Sequence, residues 1–126
     1  MSGNSLILDS NVLIYLSKGQ KGIFEIIEQY SNIYISVITK MEVLGFQFKS
    51  DEERLFIEKI ITKFEIIHTN NDIAEYVIQY RQKKKIKIPD AIILATAKVK
   101  KAHILTANTS DFKGIDQTIK IINFVA

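Results

Sequence analysis

Residues 5–16 read Ser5-Leu6-Ile7-Leu8-Asp9-Ser10-Asn11-Val12-Leu13-Ile14-Tyr15-Leu16, two apolar runs separated by a carboxylate and two small polar residues. Leu6, Ile7 and Leu8 give the uninterrupted apolar pattern of a strand buried on both faces, and residues 12–16 read as an apolar helix. Asp9 therefore sits where a strand hands over to a helix, which is where parallel sheets present side chains to a ligand. A charge in that position needs a reason, either as a helix cap or as part of a site.

Working outward, the same strand-then-helix grammar repeats. Ser10 or Asn11 can cap the first helix, which is expected to stop near Lys18-Gly19. Ile23, Ile26, Ile27 and Tyr30 recur at helical spacing, residues 33–36 form a β-rich run, and a helix carrying Met41, Glu42, Val43 and Leu44 follows. Asp51, Glu52 and Glu53 open a helix whose buried stripe is Phe56, Ile57, Ile60, Ile61 and Phe64. Residues 65–69 read as a third strand, Asn70 or Asn71 as the next cap, and Pro89-Asp90 as the start of a helix that is apolar nearly all round. Residues 103–106 and 119–125 supply the fourth and closing strands, with a polar loop at 107–114 between them. Short apolar strands alternating with helices predict an α/β fold: a mostly parallel five-stranded sheet with helices on both faces.

The chain has 126 residues, 47% hydrophobic and 25% charged, which suits one domain over residues 1–126. A net charge of +3 permits polyanion binding without demanding it. Absence of cysteine excludes disulfides and thiolate metal sites. With Asp9 interrupting the N-terminal apolar stretch and no run near the ~18 residues of a membrane span, a cytoplasmic protein without a membrane is expected.

Of the fourteen acids, four stand out by position. Asp9 ends an apolar strand. Glu42 is flanked by Met41, Val43 and Leu44, although Thr39-Lys40-Met41-Glu42 also fits a capping box, in which the glutamate only satisfies a backbone donor. Asp90 occupies the first turn of the apolar helix, where the dipole alone favours a negative charge. Asp111 lies in ordinary loop chemistry, Asn-Thr-Ser-Asp. Taken singly, each has a plain structural use. Together they all fall just after a strand or at the start of a neighbouring helix, and converged carboxylates repel unless a cation sits among them. An all-oxygen donor set points to Mg²⁺ or Mn²⁺ rather than zinc. Such an ion suits phosphodiester cleavage, with Ser10, Asn11, Thr106 and Asn108 placed to support it.

Four stretches together resemble PIN-domain ribonucleases, and within them the VapC-type toxins of toxin–antitoxin pairs. They are the opening 8–16, Ser36-Val-Ile-Thr39-Lys-Met-Glu42-Val-Leu-Gly45, Lys87-Ile-Pro-Asp90-Ala-Ile-Ile-Leu-Ala-Thr-Ala97, and Leu105-Thr106-Ala-Asn108-Thr-Ser-Asp111-Phe112. The resemblance implies a three-layer α/β sandwich, metal-dependent cleavage of RNA, and Asp9, Glu42, Asp90 and Asp111 as the metal-site acids. It also implies a small antitoxin partner and a homodimer. Some members carry a further acid where this chain has Asn108, so the resemblance supports one metal site and leaves a second open. Two other readings stay open: a non-catalytic RNA-binding module of the same fold, and a housekeeping RNA-processing nuclease with no antitoxin.

Arg81, Lys83, Lys84, Lys85 and Lys87 form the densest basic run, leading directly to Asp90. They are candidates to grip the RNA backbone, or simply solvated charges at a helix C-terminus. Tyr15, Tyr76 and Tyr80 are candidates to stack on bases, and Phe46, Phe48 and the helix at 12–16 to contact a protein partner; core packing is the competing use of each.

Overall fold

The computed structural model describes residues 4–20 and 22–124. Its strands are β1 (Ser5–Leu8), β2 (Asn32–Ser36), β3 (Glu65–Ile67), β4 (His103–Thr106) and β5 (Ile121–Asn123). Its helices are α1 (Ser10–Ser17), α2 (Gly22–Ile27), α3 (Val37–Leu44), α4 (Asp51–Ile61), α5 (Asn71–Lys83) and α6 (Ile88–Lys100). The strands form one sheet in the order β3-β2-β1-β4-β5, and every pairing is parallel. The expected architecture is therefore present, with the sheet wholly rather than mostly parallel. The closing strand is shorter than the sequence reading at both ends, and Val125 lies outside the described residues.

The pleat of β1 divides the core. Leu6 and Leu8 face one side, where they pack with Val12, Leu13 and Leu16 of α1, Val43 of α3 and Ile57, Ile60 and Ile61 of α4. Ile7 faces the other side, against Ala91, Leu94 and Ala95 of α6 and Ile73 and Tyr80 of α5. The alanines of α6 let that helix lie close, which explains why its apolar body is almost wholly buried. Three layers follow from that alternation.

Two details of the chain path matter for the site. Successive strands step outward from β1 in one direction through β2 and β3, and the chain then returns to lay β4 on the opposite edge of β1. The C-terminal ends of β1 and β4 thus flank a topological switch point, where parallel α/β sheets open a crevice. Second, α3 starts directly off β2: Ser36 caps it, its Oγ accepting from the Ile38 amide at 3.2 Å. The Thr39–Glu42 capping box is therefore absent. Thr39 lies inside α3, buried, with its hydroxyl lacking a hydrogen-bond partner, and Glu42 is a mid-helix residue with no capping duty.

Candidate active site

Asp9 is the buried anchor, only 5% exposed. It is the N-cap of α1, its Oδ1 accepting from the Ser10 amide at 2.9 Å. Its Oδ2 accepts from the Thr106 hydroxyl at 2.8 Å and from the Asn11 side-chain amide at 3.2 Å. The cap reading of Asp9 is thus borne out through Oδ1, while Oδ2 is held by Thr106 and Asn11. Because Thr106 ends β4, that hydrogen bond ties the two strand ends at the switch point together. The Asn11 carbonyl accepts from the Ala107 amide at 3.1 Å, and the Thr106 hydroxyl oxygen accepts from the Asn108 amide at 3.0 Å. All four supporting residues named from the sequence belong to this network. Ser10 also sits near a second acid, Glu42, where it favours the ionised carboxylate. The N-cap of α1 is Asp9, as its cap reading expected, rather than Ser10 or Asn11.

Asp9, Glu42, Asp90 and Asp111 all line one cavity of about 520 Å³, together with Ser10, Asn11 and Asn108. The acids reach it from four elements: the end of β1, the middle of α3, the first turn of α6, and a 3₁₀ turn at Thr109–Asp111 that Phe112, fully buried, pins to the core. Their electrostatics record that proximity. Asp90 is pushed up to about 6, first by burial and then by the negative charges of Asp111, Asp9 and Glu42, with Lys87 opposing weakly. Asp9 is raised by burial against the hydrogen bonds from Thr106, Ser10 and Asn11, with Asp111 adding to the rise. Glu42 is raised by partial burial of its carboxyl end, opposed by the Ser10 hydrogen bond and aided by Asp9.

A divalent cation suits this chemistry, since every charged oxygen donor is a carboxylate and Asp9, Glu42 and Asp111 each disfavour the charge on Asp90. Among the described residues, however, no three His, Asp or Glu side chains are gathered tightly enough to enclose an ion directly. Mg²⁺ does not require that enclosure: it keeps several waters and is usually held by one or two carboxylates. The donor set fits a hydrated hard cation rather than a dry four-carboxylate cage.

The basic run lies elsewhere. None of Arg81, Lys83, Lys84, Lys85 or Lys87 lines the acidic cavity. Lys87 is the residue before α6 and its charge reaches Asp90. Arg81 folds back to donate to the Ile86 carbonyl at 2.9 Å, and Arg81, Lys85, Ile86 and Lys87 line a separate open hollow. Of the apolar candidates, Val12, Leu13 and Leu16 are core, which removes most of α1 from any partner surface, whereas Phe46 stays 41% exposed. Tyr80 is buried and donates to Asp116 Oδ2 at 2.6 Å, so it is not available to a base.

Residues that the sequence reading did not assign complete the cavity: Ile14, Lys18 and Val43, with Tyr15 and Phe46 now placed in its wall. Helical phase is the signal that finds them, because Ile14 and Lys18 follow Ser10 by successive steps of four, and Phe46 follows Glu42 by four.

The PIN-domain family profile matches residues 6–117. Among solved structures, a chain in a toxin–antitoxin complex from Klebsiella pneumoniae superposes with a TM-score of 0.80 at 35% identity, over 95% of this chain and 98% of that one. VapBC2 from Rickettsia felis bound to a promoter DNA fragment gives 0.81 at 21% identity over 94% and 98%. DNA-bound VapBC from Salmonella typhimurium gives 0.80 at 24% over 96% and 98%; these two bear on the fold alone. No curated protein sequence gives a significant match.

Proposed function

The chain belongs to the PIN-domain family, and on that premise we propose that it is a Mg²⁺- or Mn²⁺-dependent endoribonuclease acting as the toxin of a toxin–antitoxin pair. The observation that carries the reading is the convergence of Asp9, Glu42, Asp90 and Asp111, far apart in sequence, on one cavity at the sheet's switch point. When bound, the cation supplies Lewis acidity toward a phosphoryl oxygen and makes water a competent nucleophile at neutral pH. Everything else falls to the chain. Thr106, Asn11 and the Ser10 amide fix the Asp9 carboxylate in one orientation, and Ser10 favours the ionised form of Glu42. Asp90 and Asp111 close the acidic wall on the α6 side. Lys87, with Arg81, Lys83, Lys84 and Lys85 beyond it, neutralises backbone phosphates approaching past Asp90.

An antitoxin fits the remaining surface. Phe24, Met41, Leu55 and Phe56, each between 38% and 63% exposed, offer apolar contact surface on the α1–α4 side of the sheet. A small partner covering it, in a cytoplasmic homodimeric assembly, is the arrangement we propose; no helix among the described residues is long and apolar enough to cross a membrane.

Incubation of purified protein with total RNA, in Mn²⁺ or in EDTA, tests the reading. Metal-dependent fragments lost in Asp9→Asn and Asp90→Asn are expected, and full activity in both variants overturns it. A mobility shift without cleavage identifies a non-catalytic RNA-binding module instead. Expression in a host cell tests the toxin role: growth arrest relieved by the small gene beside it is expected, and unimpaired growth assigns a housekeeping nuclease.

A further inference from the structure

The cavity has a second wall, and it is not acidic. Along α1 the lining side chains change character with distance from Asp9: Ser10 and Asn11 are polar, Ile14 and Tyr15 apolar, Lys18 cationic. At 1.5 Å per residue, Tyr15 stands about 9 Å and Lys18 about 13 Å along the axis from Asp9. On α3 the same progression runs from Glu42 to Val43 and then Phe46, just past the helix end. Two aromatic rings thus border the far end of a groove that begins at the carboxylates.

Both rings are held and yet open. Tyr15 packs edge-on against Phe124, centroids 5.5 Å apart at 70°, and remains 38% exposed. Phe46 packs edge-on against Phe48, 5.2 Å apart at 69°, and remains 41% exposed. An edge-on neighbour fixes the plane of a ring while leaving a face free, the requirement for a stacking platform. Lys18 is the one cation among the described residues lining the cavity.

We propose that Tyr15 and Phe46 hold the base of a nucleotide flanking the scissile phosphate, unstacked from its neighbours, while Lys18 pairs with the next phosphate outward. This rests on the reading of the cavity as an RNA-cleaving site. It adds that the groove admits only an unpaired nucleotide, since a base inside a duplex cannot turn its face to the wall. The occupant is RNA rather than a protein segment because the aromatic wall lies between two places that draw phosphate, Lys18 at one end and, at the other, the carboxylates with the cation proposed among them.

The test uses the full chain with Mn²⁺ and a short single-stranded RNA with one mapped cleavage site. Two companion RNAs carry an abasic residue immediately 5′ or 3′ of that site. One of the abasic RNAs is expected to raise KM for the unsubstituted protein between about fivefold and a hundredfold, with a smaller effect on kcat. Tyr15→Ala and Phe46→Ala should show the same rise on intact RNA and lose the discrimination against the abasic one; Tyr15→Phe should keep it. Lys18→Gln should leave the discrimination intact and lower the log–log salt slope of KM by about 0.7. Equal cleavage of all three RNAs by the unsubstituted protein overturns this proposal alone, as does full discrimination in both alanine variants. No cleavage of any RNA overturns the nuclease reading and this proposal together.

Discussion

Replacing Asp90 by asparagine should make the metal-free protein more stable while removing its activity. The carboxyl is raised from 3.8 to about 6, and two units correspond to about 3 kcal/mol of preference for the neutral form. Asp90 is only partly buried, so solvent screening brings this to about 1.5 kcal/mol. Its position in the first turn of α6 returns about 0.5 kcal/mol through the helix dipole, leaving a cost near 1 kcal/mol for the charge. The sign follows from linkage: a group raised on folding contributes stability below its unfolded pKa, and that contribution is lost as pH rises through about 6. Asparagine keeps it at every pH. With about 2.1 cal/mol/K of unfolding entropy per residue, Asp90→Asn should melt about 4 °C higher than the unsubstituted chain at pH 7.5 in EDTA, with the gap closing below pH 4. Saturating Mg²⁺ at a hundred times its Kd adds about 2.7 kcal/mol to the protein that binds it, which exceeds the gap and should reverse the order. Thermal melts by circular dichroism across pH 4–8, with and without Mg²⁺, measure both effects. A lower melting temperature for the variant at pH 7.5 in EDTA, or a gap independent of pH, would refute the crowding of acids around Asp90.

Thr106→Val removes the hydroxyl bonded to Asp9 and leaves the Asn108 amide without its acceptor; about 1.5–3 kcal/mol of stability should be lost at pH 7, along with most cleavage, as denaturant titration and the RNA assay would show. Tyr80→Phe deletes the hydroxyl donated to Asp116 and should cost about 1 kcal/mol. Burial raises Asp116, but the bonds from Thr118 and Tyr80 and the Lys98 charge outweigh it and hold the carboxyl at about 2. The stability tied to that depression is present above 3.8 and lost as pH falls through 2, so acid titration should show the Tyr80→Phe difference shrinking below pH 3. Alanine at Lys85 or Lys87 should weaken RNA binding with little change of cleavage position, each lowering the salt slope by about 0.7 if it meets one phosphate.

How far the sequence could be read depended on whether a feature was written along the chain or only in the phase between elements. The order of strands and helices follows from local periodicity, and so does Asp9, because a carboxylate between two apolar runs is visible without any partner. Glu42 shows the opposite case. Thr39 and Glu42 have the spacing of a capping box, but β2 passes into α3 without a loop, and the β-branched Val37 and Ile38 hide the start of the helix. Ser36 takes the cap, which frees Glu42 to face the cavity. The lysine run is a different case, since nearness in sequence to Asp90 does not place it in the cavity wall: α5 ends at Lys83 and Arg81 is folded back on Ile86. Lys18, by contrast, is a lone charge at a helix end that no local pattern singles out, and only two turns of α1 counted from Ser10 bring it to the rim. Of the acids proposed to hold the metal, Asp9 is thus legible from local pattern, whereas Glu42 and the side chains proposed to meet the substrate become visible only when the helices are set side by side. In a parallel sheet this division is expected, because strand ends fix the chemistry at the switch point while the helices flanking the crevice supply its walls.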